Sequence, residues 1–174
     1  MFGAPGGILP TKDWIATLPP SCLKTNYYLL NKIAYMLNFG AMGFWTDTYG
    51  MIGGFSGGPE ECVVTANAGS ILQLPVHQGV VVGGSVYDLG TYTGSSRVAL
   101  WANSVALQGQ SRNSHILTLA CINPAAGPCT EMLMQEVAAQ CIAHVTSGAS
   151  FVIGTRPREG KYPHYFSGLE NGFA

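Results

Sequence analysis

IGGFSGGPEE, from Ile52 to Glu61, closes an apolar, strand-like run with a glycine-rich turn and then opens a helix with proline and two glutamates. A second stretch, INPAAGPCTEM from Ile122 to Met132, repeats the design with Pro128 and Glu131. Proline at a first helical position gives up only a backbone donor that the helix leaves unused. Acidic side chains beside it complement the positive end of the helix dipole. Two strand-to-helix junctions of one kind predict a repeating βα chain, and in such folds the loops after the strands carry the chemistry.

Working outward, Met1 to Pro20 is rich in proline and glycine without periodicity and reads as an irregular lead-in before a domain over 21–174. Cys22–Leu37 spaces Tyr27, Leu30, Ile33 and Leu37 as a helix does. Ala41–Thr46 reads as a short buried strand ending at Asp47. Pro59–Val76 suits a helix whose apolar face is Val63, Val64, Ala66, Ile71 and Leu74. Val80–Tyr87 is a β-branched strand ending at Asp88, and Arg97–Gln108 a helix. His115–Ile122 is a strand, Pro128–Thr146 a long helix, and Phe151–Ile153 the start of another strand. Arg156–Tyr165 reads as a polar, aromatic loop, and Gly168–Glu170 as a further helix start. Strands recurring at roughly 35–40 residues fit right-handed βαβ units with a parallel sheet. The fold class is therefore α/β. So few strands cannot close a barrel, which needs eight, and a helix start at Gly168–Glu170 beside the end of the sequence favours a chain truncated at both ends.

Composition narrows the function. The chain has 174 residues, with 8 Lys+Arg against 9 Asp+Glu and no basic run, which leaves no electrostatic footprint for nucleic acid. Its charged fraction is 10%, well under the usual ~25%, which fits either an apolar but ordinary cytosolic domain or, the favoured reading, a piece of a larger protein covered on several sides by other segments. No apolar run reaches the ~18 residues of a membrane span. Cys22, Cys62, Cys121, Cys129 and Cys141 form no CxxC pair and no zinc-type spacing, so they read as reduced thiols of a cytoplasmic protein. Cys129, expected in the first turn of a helix, has a reason for a lowered pKa, but Glu131 nearby works against it and a structural role is the favoured reading.

Parallel βα architecture places Asp47, Asp88 and Cys121 with Asn123 at the carboxyl ends of successive strands, facing one rim. Carboxylates held there serve as general acids or bases, or else cap their loops by Asx turns. The GGFSGG run lacks the spacing of a phosphate loop, and Glu60 and Glu61 would repel an anion. Its glycines Gly53, Gly54, Gly57 and Gly58 instead permit close approach of a bulky ligand. His115 and Arg112 precede a strand, on the rim that serves stability. No HExxH or GxSxG motif is present. On the residues alone, the reaction is open.

The two opening stretches resemble the monomethylamine methyltransferases of methylotrophic methanogens. IGGFSGGPEE is similar to that family's FGG-aromatic-AGG-x-EE loop. AAGPCTEM is similar to its CAGPCTEM run, followed by a like EVAAQ…SG helix, with Arg97 falling on a family arginine between them. The resemblance covers Leu29 to Gly154, and AGPCTEM is its most specific part. It implies a (β/α)8 TIM barrel that transfers methyl from monomethylamine to the cobalt of a partner corrinoid protein, in methanogenesis from methylamines. The catalytic centre implied is pyrrolysine, encoded upstream of Met1; the cobamide is carried by the partner and not bound directly. A homo-oligomer is implied for the full-length enzyme. The family's site glutamate aligns with Asp47, one methylene shorter, and its site glutamine with Cys121. Asp47 and Cys121 are then the catalytic positions, and Asn123 with Gly53, Gly54, Gly57 and Gly58 the substrate-binding ones. The isolated chain is expected to be inactive. The alternative from another class is a small non-enzymatic α/β binding or assembly protein.

Overall fold

The structure is a computed structural model that describes residues 14–17, 23–39, 43–155 and 168–174. Among the described residues ten elements alternate: β1 (Trp14–Thr17), α1 (Tyr27–Phe39), β2 (Gly43–Ile52), α2 (Pro59–His77), β3 (Val81–Asp88), α3 (Arg97–Asn113), β4 (Thr118–Ile122), α4 (Glu131–Thr146), β5 (Phe151–Thr155) and α5 (Gly168–Phe173). The strands form one sheet in the order β1-β2-β3-β4-β5, each pair parallel.

Side-chain alternation shows which face the helices cover. On β2, Thr46 donates to Gln73 Oε1 of α2, and Gly50 lies under the Cys62 carbonyl. Gly84 of β3, in register with Thr48, approaches Ala66 and Ser70 of the same helix. Val86 packs with Cys62, Ala66, Ala102 and Ala106, while Ile122 of β4 packs with Leu133 and Val137 of α4. Successive strands without a reversal of order, and α2, α3 and α4 on one face, describe an arc of a barrel and not a doubly wound sheet. The opposite face carries Asp47, Ser85 and Cys121 and corresponds to a barrel interior.

Several expectations change. Strand β1 lies within the stretch read as an irregular lead-in; four residues between prolines are too short to show a period. Strand β2 does not stop before Asp47 but continues through Thr48, Tyr49, Gly50 and Met51 to Ile52. Gly50 resembles a turn glycine, but its function is packing: a Cβ there would stand 2.8 Å from the Cys62 carbonyl oxygen. In α2 the buried stripe is Cys62, Ala66, Gly69, Ser70, Gln73 and His77, whereas Val64 and Ile71 are 68% and 61% exposed. Small and hydrogen-bonded side chains form the inner face because the helix lies close on the glycines of β2 and β3. Pro59 follows the N-cap Gly58 as expected. Pro128 does not open α4, which begins at Glu131 with Thr130 as N-cap, its hydroxyl accepting from Leu133 N. Cys129 therefore precedes the helix, exposed and at φ 61°. The polar loop expected over Arg156–Tyr165 and Cys22 lie outside the described residues.

Candidate functional site

The site is built on the concave face where β2, β3 and β4 lie side by side. Asp47 is level with Gly83 on β3, which is level with Leu119 on β4. Gly83 has no side chain, so the Asp47 carboxylate lies across β3; a Cβ on Gly83 would stand 2.6 Å from Asp47 Oδ1. From there it reaches one step up the sheet. Ser85 N donates to Oδ1 at 3.3 Å, and the Ser85 hydroxyl lies 3.3 Å from both carboxylate oxygens. The Cys121 thiol donates to Oδ2 at 2.9 Å. Asp47 is fully buried, and Ser85 and Cys121 nearly so. A buried carboxylate is tolerated only when donors converge on it, and these belong to two neighbouring strands.

The ladder between β3 and β4 is short at this point. It registers only at Val82–Thr118 and Gly83–Leu119. Above that level side chains take over the backbone groups. Cys121 N donates to the Ser85 hydroxyl at 3.3 Å. Val86 N donates to Asn103 Oδ1 at 2.7 Å, and Asn103 Nδ2 donates back to Val86 O at 2.8 Å.

Asp47 and Cys121 are thus brought together as the catalytic pair that the resemblance implies. The glycine loop is not brought to them. It begins after Ile52, roughly 16 Å further along β2 at ~3.3 Å per residue. Gly53 and Gly57 have φ of 79° and 89°, and Gly53 N donates to Gly57 O at 2.9 Å, closing the loop on itself. Phe55 projects from its tip, with the Lys24 ammonium 3.8 Å from its ring centroid. Nothing lies within 4 Å of where a Gly53 Cβ would stand, whereas Gly54 and Gly58 face close neighbours.

Asn123, just past β4, is buried and held by its backbone: its N–H donates to Gln140 Oε1 at 2.9 Å, and its carbonyl accepts from Gly94 N and Thr93 Oγ1, each at 2.8 Å. Glu136 of α4 fastens the same rim, accepting from Ala125 N, Ala126 N and the Ser95 hydroxyl. Asp88 does not join Asp47. It accepts from Gly90 N and the Thr91 hydroxyl in an Asx-type turn, each at 2.8 Å. Burial pushes its carboxyl up, but the Thr91 and Ser96 hydroxyls and backbone N–H groups outweigh this and hold it below its ordinary value. Arg112 and His115 are exposed at the opposite end of the strands. Among the described residues no group of three or more His, Cys, Asp and Glu could hold a metal ion, and no helix is long and apolar enough to cross a membrane.

Sequence reasoning missed Gly83 and Ser85. The signal was present in VVVGGSV, because glycine inside a β-branched strand marks a close approach by another group.

Comparison with known proteins supplies the family. The model of the family "Monomethylamine methyltransferase MtmB" matches residues 20–174. The monomethylamine methyltransferase MtmB3 of Methanosarcina barkeri (strain Fusaro / DSM 804) is 31% identical over 131 residues, covering 69% of this chain and 26% of that protein. Two solved structures, of the Methanosarcina barkeri monomethylamine methyltransferase MtmB and of a hydroxylamine complex of MtmB, each superpose with a TM-score of 0.89 at 23% identity. Each superposition covers 98% of this chain and 37% of the solved one, and the shared architecture is that of several consecutive units of a TIM barrel. The chain thus spans about a quarter of the length of the curated relative. It belongs to the monomethylamine methyltransferase MtmB family.

Proposed function

We propose that this chain forms the Asp47-bearing arc of a cytoplasmic, homo-oligomeric enzyme that transfers the methyl group of monomethylamine to a partner corrinoid protein, in methanogenesis from methylamines. The observation that carries the proposal is the buried Asp47–Cys121 pair on the concave face of a chain of this family. The corrinoid supplies the cobalt that accepts the methyl group. The pyrrolysine implied by the resemblance belongs to the rest of the barrel, so the 174 residues are inactive by themselves.

Asp47 has a fixed place and direction, and its negative charge favours a cationic nitrogen above it in a medium that screens charge weakly. Cys121 presents a single weak S–H donor where an amide would present both donors and an acceptor. That S–H is committed to Asp47, so Cys121 tunes the carboxylate and does not act as a nucleophile. At the rim, the open space over Gly53 leaves room for a broad, flat group to approach the backbone. Gly53, Gly54, Gly57 and Gly58 shape that approach, and Asn123 lines the same rim from β4.

The test uses the complete enzyme carrying this segment, monomethylamine with a 13C-labelled methyl group, and the reduced corrinoid protein. The label is expected on the cobalt, and ammonia is released. Full retention of the label on nitrogen in the presence of both proteins would contradict the proposal.

A further inference from the structure

We propose that Ser85 is the positioning residue of the site, its hydroxyl clasping the Asp47 carboxylate to β4 where the strands no longer pair directly. The hydroxyl has one proton and two lone pairs. The proton is shared between the two oxygens of Asp47, each 3.3 Å away. A lone pair accepts from Cys121 N at 3.3 Å. The Ser85 backbone N–H adds a further contact to Oδ1. One residue thus ties β2 to β4 across β3, and it does so two residues beyond Gly83, the last β3 residue registered with β4.

The surroundings leave the carboxylate little choice of direction. Gly83 opens the path across β3, and Thr46 and Thr48, on either side of Asp47 along β2, point to α2. Cys121 pulls on Oδ2 alone. Without its hydroxyl, Ser85 no longer supplies the donor that spans both carboxylate oxygens, and the direction of the carboxylate is less constrained. At the same time the bond from Cys121 N to that hydroxyl is lost, which weakens the tie between β3 and β4 at the thiol. Alanine at 85 therefore moves both members of the pair.

What the carboxylate is positioned to do rests on the methyltransferase proposal; the test of the positioning does not. The Asp47 carboxyl is followed by 13C NMR through a pH titration of the full chain, as wild type, Ser85→Ala and Ser85→Cys. Hydrogen bonds to the charged form lower a carboxyl pKa, so loss of this donor raises the midpoint by about one to two units. The thiol of Ser85→Cys, a weaker donor of similar shape, gives an intermediate rise. A midpoint within about 0.3 units of wild type in either folded variant would overturn the assignment of Ser85. If Ser85→Ala does not fold, Ser85→Cys decides by the same comparison. A complete enzyme that fails to move the methyl group, with Asp47 still responding to Ser85, would refute the reaction and leave the clasp standing.

Discussion

Residue 47 is a fully buried carboxyl group on which a hydroxyl, a thiol and a backbone N–H converge. A different solution serves His144, in the last turn of α4. It is fully buried, and neither ring nitrogen has a hydrogen-bond partner among the described residues. Burial alone lowers its pKa to about 4. The unfolded chain binds that proton near pH 6.5 and the folded chain does not, so the stability contributed is complete above pH 6.5 and is lost as pH falls through 4. The loss should total up to about 3 kcal/mol at ~1.4 kcal/mol per pKa unit. Urea unfolding at a series of pH values reads it directly. Replacing His144 with Met is expected to remove most of the slope, leaving a smaller share from His77, which burial also lowers. An unchanged slope in that variant would place the acid sensitivity elsewhere. Of the two kinds of buried polar residue, only Asp47 could be picked out from the sequence. Its motif marked it, whereas nothing about an isolated histidine on a helix says that its nitrogens will go unpaired.

At the scale of elements, the strand-to-helix junctions were readable because proline, glycine and acid residues act locally. Gly58 and Pro59 do open α2, whereas α4 starts three residues after Pro128, at Glu131 behind the N-cap Thr130. What could not be read was how closely the layers approach. Helix α2 buries Ala66 and packs Val63 against the core as its apolar pattern indicates, but it exposes Val64 and Ile71 and buries Gly69, Ser70 and Gln73 in their place. The explanation lies on the other element: Gly50 and Gly84 leave the sheet flat where the helix rests. A Cβ at Gly84 would stand 2.5 Å from the Ala66 carbonyl oxygen and 2.7 Å from the Ser70 hydroxyl. Because the first of these is backbone, it cannot turn away, and the helix must shift. Gly84→Ala is expected to cost about 1–3 kcal/mol, an overpacking cost measurable by denaturant unfolding. A variant as stable as wild type would show that α2 is free to lift. Apolar pattern also understates the length of β2. The polar run Thr46, Asp47 and Thr48 ends the apolar pattern four residues before Ile52, although the strand continues beneath α2.

For the whole molecule, the order of strands and the one-sided cover of helices define an arc of a barrel, in agreement with the superposition on MtmB over 37% of the solved chain. A charged fraction of 10% has its counterpart on the outer faces, where Ile71 of α2, Trp101 of α3 and Ile142 of α4 are exposed. The partial barrel and the family were legible from the glycine loop and AGPCTEM together. The internal clasp was not, because it is made by residues 47, 85 and 121, which only the sheet brings together. These three belong to one account: a carboxylate laid across a glycine, held by a hydroxyl and a thiol, and aimed into the barrel. The most direct measurement is the rate of methyl transfer from monomethylamine to the corrinoid protein by the complete enzyme, with Asp47 intact and as Asp47→Asn. The charge is removed while the shape is kept, so kcat/KM is expected to fall about 100-fold or more, as for other buried groups that stabilise charge in a reaction. A variant that transfers methyl as fast as the parent would contradict the account.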